Sequence, residues 1–162
     1  MLQGSRGDAV VVATRRPESS QYDDGGMDGL HTAQLVLRLV LAAVFAFMGV
    51  LHFVPKVARG MRAMIPPPLR RPGWPAALVA GTGVCELLGA AGLLVPWDGV
   101  RLAAGICLVV FLAAVFPANA YAARDPGRFG ATAMPFWPRL ALQVLLAVLV
   151  LLAAWPLASL RT

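Results

Sequence analysis

The stretch between Trp74 and Trp97 constrains the fold more than any other part of the chain. It contains the sequence PAALVAGTGVCELLGAAGLLVP, in which Glu86 is the one charged residue. A helix of this length crosses the roughly 30 Å hydrocarbon core of a bilayer. A charged side chain at the bilayer centre costs about 2.5 to 3.5 kcal/mol on insertion scales, so it is normally paired or faces protein. The stretch therefore predicts a membrane helix whose acid needs a partner from elsewhere in the chain.

Three other apolar runs accompany this stretch. Hydrophobic residues make up 59% of the 162 residues and charged residues only 14%, which is far from the average soluble domain. We predict spans at residues 33–53, 76–94, 102–121 and 138–156. All four tryptophans fall at ends of the second and fourth spans, as an aromatic belt at the membrane interfaces predicts. The expected fold is an all-α membrane protein, an antiparallel four-transmembrane-helix bundle over residues 31–162.

Residues 1–30 differ from the rest of the chain. They are polar, carry scattered charges of both signs and include the run Asp-Asp-Gly-Gly, so we predict a disordered tail. The first apolar run starts too late and is too long for a secretory signal. Met27 lies just before that run, and we consider it as an alternative start to Met1.

The formal net charge of +6 is concentrated beside the spans. Membrane orientation and lipid headgroups explain such charges without nucleic acid. One end of the bundle has more cations than the other. The positive-inside rule places that end in the cytoplasm and both termini outside. Its cations are Lys56, Arg59, Arg62, Arg70, Arg71, Arg124 and Arg128, with Arg139 at the edge. The segment 56–73 is rich in proline, so we expect an ordered or interfacial loop there.

This topology gathers polar residues at the predicted cytoplasmic rim. His52 ends the first span, Asn119 lies near the end of the third, and Arg139 and Gln143 begin the fourth. One interpretation is a ligand-binding pocket formed by these four residues. The other is that they cap helix ends, satisfy backbone groups freed by Pro117 and extend toward lipid headgroups.

The expected partner of Glu86 is Arg38. Counting along both spans, the two backbones differ in depth by only several Å, which a long arginine side chain can cover. Paired charges cost less than either charge alone and would fix the helix register. We therefore predict an intramembrane pair of Arg38 and Glu86. The alternative is that Glu86 belongs to a proton or cation path.

Five short motifs follow one another along the spans. They are GVLHF at 49–53, MIPP at 64–67, ELLGA at 86–90 with LLVP at 93–96, FPANAY at 116–121, and Arg139 with Gln143. In these motifs and their order the chain resembles the DoxX-like membrane proteins over about residues 33–157. The resemblance implies a small bacterial inner-membrane protein, and some members of that family are subunits of membrane redox systems.

The residues themselves supply little redox chemistry. His31 and His52 flank opposite ends of one span, roughly 30 Å apart, so one haem cannot use both. Cys85 and Cys107 lie mid-span without the spacing of a thiol redox motif or a zinc site. No glycine-rich strand-to-helix turn for a flavin or nicotinamide is present. A quinone headgroup at Asn119, Arg139 or Gln143 is the cofactor hypothesis that these residues leave open.

Three function hypotheses result. The first is an accessory or anchoring subunit of a membrane redox system, with a quinone or small hydrophobic ligand at the cytoplasmic rim and partner proteins carrying the cofactor. The second is a small transporter or proton-conducting protein that uses Glu86. The third is a non-catalytic scaffold that holds partners through the arginine-rich connection. No catalytic group and no metal cluster is predicted, and we do not assign an enzyme activity.

Overall fold

Four long helices form the body of the protein. The computed structural model describes residues 19–129 and 134–156, and in these ranges the chain is all-α. The helices are α1 (Ser19–Leu51), α2 (Pro55–Ala63), α3 (Trp74–Leu94), α4 (Asp98–Ala122), α5 (Pro126–Phe129) and α6 (Phe136–Ala154), with a single 3₁₀ turn at Pro67–Leu69.

Helices α3, α4 and α6, together with the Asp28–Leu51 part of α1, are long and apolar enough to cross a membrane. The chain therefore has the architecture of a multi-pass membrane protein, and the predicted four-helix bundle is confirmed. Helix α3 packs against α1 and α4, and α6 packs against α4 and α1. Each of these four helices thus packs against two of the others. The resulting ring encloses a core that includes Phe45, Leu93, Leu108 and Val150.

Two segments differ from the sequence prediction. Helix α1 continues back to Ser19, so residues 19–30, expected to be disordered, are helical, whereas residues 1–18 of the predicted tail lie outside the described residues. The segment after α1 is not simply a loop, because Pro55 occupies the first turn of helix α2. Proline suits that position, where its missing N–H would have no intrahelical partner. Helix α2 packs against α3.

Glycines set the distance between α1 and α3. A Cβ placed on Gly83 would lie 2.7 Å from the Cβ of His52 and 3.0 Å from the carbonyl oxygen of Gly49. The two backbones therefore touch at this level, as small residues allow in membrane helices. Gly81, Cys85 and Gly89 follow one another at a spacing of four, from which the sequence alone predicts a strip of close helix contact. That expectation was partly wrong, because a Cβ on Gly81 meets nothing within 4 Å, whereas one on Gly89 would collide with Leu108.

Candidate functional site

The bundle has two ends, which carry different polar groups. We call the end formed by residues 52–73, 119–129 and 134–139 the basic end, because Asp125 is the only acid in these ranges and cations are numerous. We call the other end, where α3 leads into α4 and α6 finishes, the Trp97 end. Among the described residues, polar side chains reach into the apolar bundle at the Trp97 end, as Gln34 with Arg38 and as Arg101, which pairs with Asp98, and in two clusters toward the basic end.

At the Trp97 end, α1 satisfies the last carbonyls of α6. Gln34 donates to the carbonyl oxygens of Leu152 and Trp155 at 2.8 and 2.7 Å, and Arg38 Nε donates to that of Ala153 at 2.7 Å. Arg38 also donates to the Gln34 side-chain oxygen. The final carbonyls of a helix have no partner within it. A cation near them also interacts favourably with the helix dipole.

The chemistry of Pro156 explains why this cap is needed. Proline has no N–H, so residue 156 cannot donate to the carbonyl of Leu152, four residues earlier. Gln34 supplies that hydrogen bond instead. Its side chain is buried to do so. The spacing of four residues puts Gln34 and Arg38 on one face of the first span, but the sequence does not identify the α6 terminus as their target.

The structure does not bring Arg38 and Glu86 together. Arg38 is directed to the end of α6, and no ion pair joins it to Glu86 among the described residues. The expectation rested on counting backbone depth, which left open which neighbouring helix the arginine would contact. Unpaired carbonyls at a helix terminus gave Arg38 nearer acceptors than the acid in the middle of α3.

Glu86 instead faces His52. The Oε2 atom of Glu86 lies 3.2 Å from His52 Nδ1, and both side chains are about nine-tenths buried. His52 Nδ1 lies closer to the carbonyl oxygen of Met48, at 2.8 Å. The contact with Glu86 lacks hydrogen-bond geometry, so Oε2 is a buried atom with no hydrogen-bond donor in the described residues. A buried polar atom without a partner is uncommon and usually has a reason.

The close helix contact described above positions this pair. Gly83 lies one helical turn before Glu86 on α3, and its missing Cβ leaves room for the Cβ of His52. His52 follows the last residue of α1, where the chain turns toward α2. The packing of α1 on α3 therefore sets the distance between imidazole and carboxylate.

A cleft of about 500 Å³ opens beside His52. It lies between the end of α1, α2 and the first half of α3. Its polar side chains are His52, Arg59 and Arg62, and no acid is among its lining residues. The apolar part of the wall includes Phe53, Val79 and Ala80. The cleft therefore combines positive charge with an apolar surface at one end of a membrane bundle.

The other predicted site residues form a separate cluster between α4 and α6. Arg139 donates to the Asn119 side-chain oxygen at 2.8 Å, and the Asn119 amide lies 3.5 Å from the Gln143 oxygen. Gln143 donates to the carbonyl of Leu112, near Pro117, which α4 accommodates within its length. The structure thus brings three of the four predicted rim residues together. The fourth, His52, belongs to the cleft.

Arg70 makes contacts that the sequence analysis did not predict. It donates to the carbonyl oxygens of Ile65 and Ala63 at 2.7 and 3.0 Å, and its guanidinium lies over the Tyr121 ring at 5.7 Å. The α2–α3 connection is thereby attached to the end of α4. The sequence signal was the pair Arg70 and Arg71 after the proline run. The positive-inside rule had already explained this pair as a determinant of membrane orientation.

Metal and thiol chemistry receive no support from the described residues. Within them, no group of three or more His, Cys, Asp or Glu side chains could hold a metal ion. Cys85 and Cys107 are both free and exposed on the bundle surface. In a membrane helix, exposure of this kind faces lipid.

Comparison with known proteins identifies the family of this multi-pass bundle. The family model described as a domain of unknown function, DUF8561, matches residues 41–155, and the chain belongs to that family. The matched part contains the cleft, Glu86 and the Asn119 cluster, and leaves out Gln34 and Arg38. No curated protein and no solved structure matches the chain.

The family match corrects the resemblance drawn from the sequence. The chain belongs to DUF8561 and nothing indicates DoxX. Motifs such as GVLHF and FPANAY were misleading because short apolar strings with one polar residue recur wherever helices end at a membrane interface. The bacterial and redox expectations rested on that resemblance.

Proposed function

We propose that the protein binds an anionic amphiphile, a molecule with a phosphate headgroup and acyl chains, in the cleft at the basic end. The observation that carries this proposal is the lining of the cleft. Two arginines and a histidine, with no acid, border an apolar wall in a volume of about 500 Å³. Ligand sites commonly have volumes of about 300 to 1,000 Å³, and basic pockets between membrane helices suit phospholipid headgroups.

The surroundings of the cleft support an interfacial ligand. Trp74 begins α3 at the same end and is half exposed, as tryptophan is at the headgroup level of a bilayer. Lys56 and Arg71 add to the positive charge nearby. A phosphate group would lie against Arg59 and Arg62, and the acyl chains would extend along the apolar wall toward lipid. Arginine is suited to this role because its planar group can bind phosphate through two hydrogen bonds.

Orientation is part of the same proposal. The excess of lysine and arginine at the basic end favours a cytoplasmic position for it in a plasma membrane, with the Trp97 end outside. The chain termini would then lie outside as well. The anionic lipids of a cytoplasmic leaflet would supply the ligand at that end.

A quinone at Asn119, Arg139 and Gln143, and the role as a redox subunit, stay predictions. Those three side chains hydrogen-bond with one another and with the backbone of α4, so a quinone would have to compete with these bonds. Among the described residues, the one side-chain hydrogen bond of the cleft arginines runs from Arg59 Nε to the Pro55 carbonyl oxygen at 3.3 Å, so a ligand would meet less competition in the cleft. It is therefore the better-supported ligand site.

The test is a binding titration of the full chain in a neutral detergent, using short-chain phosphatidylglycerol, short-chain phosphatidylcholine and glycerol 3-phosphate. We expect phosphatidylglycerol to bind most tightly. The double variant Arg59→Gln/Arg62→Gln should weaken that binding by about 30-fold, because each cation near a membrane surface contributes about 1 kcal/mol and 1.4 kcal/mol is tenfold.

The matched control is Arg124→Gln/Arg128→Gln, which removes the same charge from the same end outside the cleft. It should change the affinity by less than about threefold, since screening weakens distant charges. Equal losses in the two double variants would show a diffuse charge effect and overturn the site. Glycerol 3-phosphate binding as tightly as the lipid would contradict an amphiphile and favour a soluble phosphate ligand.

A further inference from the structure

Glu86 lies behind the proposed cleft without a full set of partners. Its Oε2 atom is buried and receives no hydrogen bond from the described residues, although His52 Nδ1 is 3.2 Å away. His52 also lines the cleft. One imidazole therefore connects the acid inside the bundle with the ligand cavity at its end. Ionisable groups inside membrane bundles are expensive and are generally functional.

Among the described residues, the titratable side chains between Glu86 and the basic end are basic. His52 follows the last residue of α1, and α2 contributes Arg59 and Arg62, which line the same cleft, and the exposed Lys56. Glu86 is the only charged residue of α3. Neither the cleft lining nor the rest of α3 contributes another acid.

The charges on the other side of Glu86 are engaged elsewhere. Helix α4 also packs on α3, but its Asp98 and Arg101 form an ion pair with each other at the Trp97 end. Arg38 of α1 is bonded to the end of α6. Among the described residues, His52 is thus the titratable side chain that contacts Glu86.

We propose that Glu86, held against His52, is a proton-binding site that takes up one proton when an anionic headgroup enters the cleft. This inference rests on the proposed function. A second negative charge nearby favours the neutral form of a carboxyl group, and a phosphate in the cleft would lie on the other side of the His52 imidazole from Glu86. The proton comes from solvent at the basic end and adds to the Glu86 carboxylate. No electron moves and no other covalent bond changes.

Linkage fixes the direction of the pH effect. Because the complex holds more protons than the free protein, affinity for the anion rises as pH falls, by up to about tenfold per pH unit for one coupled proton. The phosphodiester of phosphatidylglycerol does not titrate near neutral pH, so the proton must be taken up by the protein. Arginine stays charged throughout this range.

The experiment is isothermal titration calorimetry of the full chain with dihexanoyl phosphatidylglycerol, in two buffers of different protonation enthalpy at each of several pH values. The difference in heat between buffers counts the protons taken up. We expect uptake approaching one proton and affinity that increases toward lower pH. Glu86→Gln should bind at every pH as tightly as the unaltered protein does at low pH, with uptake close to zero.

The control Asp125→Asn removes the one acid of the basic end, which lies outside the cleft, and should leave proton uptake unchanged. Uptake that is zero in the unaltered protein, or unchanged in Glu86→Gln, would overturn the inference while the arginine-dependent binding still stood. Absence of any phosphatidylglycerol binding would instead overturn the proposed function. If Glu86→Gln does not fold, the proton count of the unaltered protein decides alone.

Discussion

Two pairs of polar side chains inside the bundle differ in how completely they are hydrogen-bonded. At the Trp97 end, Gln34 and Arg38 donate to carbonyl oxygens of α6 and to each other. Toward the basic end, Glu86 and His52 are equally buried, but the acid lacks a hydrogen-bond donor. The first group completes the backbone hydrogen bonding of a helix end, whereas the second leaves a polar atom unsatisfied beside a ligand-sized cleft.

The difference separates polar residues that hold a membrane fold together from those that are available for chemistry. Every backbone group in a membrane must be satisfied internally, so Gln34 and Arg38 stabilise the fold directly. In the second pair, His52 bonds to the Met48 carbonyl of the helix that precedes it, and neither side chain hydrogen-bonds to the end of another helix. A binding role explains an incompletely bonded acid better than a structural role does.

Arg38→Met should have the largest effect on stability. The variant keeps the apolar stem but removes donors to Ala153 and Gln34. A hydrogen bond from a charged donor contributes about 1.5 to 3 kcal/mol. We therefore expect the free energy of unfolding to fall by about 2 to 3 kcal/mol, measured by dodecyl sulfate titration in mixed micelles.

The control is Arg124→Met, at an exposed arginine. It should change the free energy of unfolding by less than about 0.5 kcal/mol. Equal losses in both would contradict a specific cap.

Gly83→Ala should have an intermediate effect on stability and should also affect ligand binding. The added Cβ would lie 2.7 Å from the His52 Cβ, a position close to the backbone that cannot easily move. Overpacking of this kind costs about 1 to 3 kcal/mol, and we expect about 1 to 2 kcal/mol in the same unfolding measurement. Separation of the helices should also weaken phosphatidylglycerol binding.

The matched control is Gly81→Ala on the same helix, where the new Cβ meets nothing within 4 Å. Alanine is the better helix former by about 1 kcal/mol, so this variant should be as stable as the unaltered protein or more so. If the two glycines responded alike, close contact between α1 and α3 would not be what positions His52.

The sequence was sufficient for the fold because bilayer thickness and apolar length together fix where helices lie. The spans at residues 76–94 and 138–156 agree with α3 and α6 to within about two residues at each end. Helix α2 was missed because a short helix with Arg59 and Gly60 in an otherwise proline-rich segment has no membrane-length apolar signal. Continuation of α1 to Ser19 was missed because its first residues are polar.

The site was harder to predict because contacts depend on which helix faces which. Asn119, Arg139 and Gln143 could be grouped from topology alone, since the end of α4 and the start of α6 must meet at one face. The partner of Glu86 could not be found by depth alone. It required the contact at Gly83, which depends on the rotation of α3 about its axis, and the sequence gives no direct signal of that angle.

Glu86→Gln should have the smallest effect on stability and is the sharpest test of the comparison. Oε2 has no hydrogen bond to lose, glutamine keeps the shape and helix propensity of glutamate, and removing a buried charge offsets the lost attraction to His52. We expect the free energy of unfolding to change by less than about 0.5 kcal/mol under the conditions used for Arg38→Met. A loss near 2 kcal/mol would make Glu86 a structural residue like Arg38, and the distinction between the two groups would fail. A stable variant whose lipid affinity no longer depends on pH would instead assign the acid to ligand binding, because only that property would have changed.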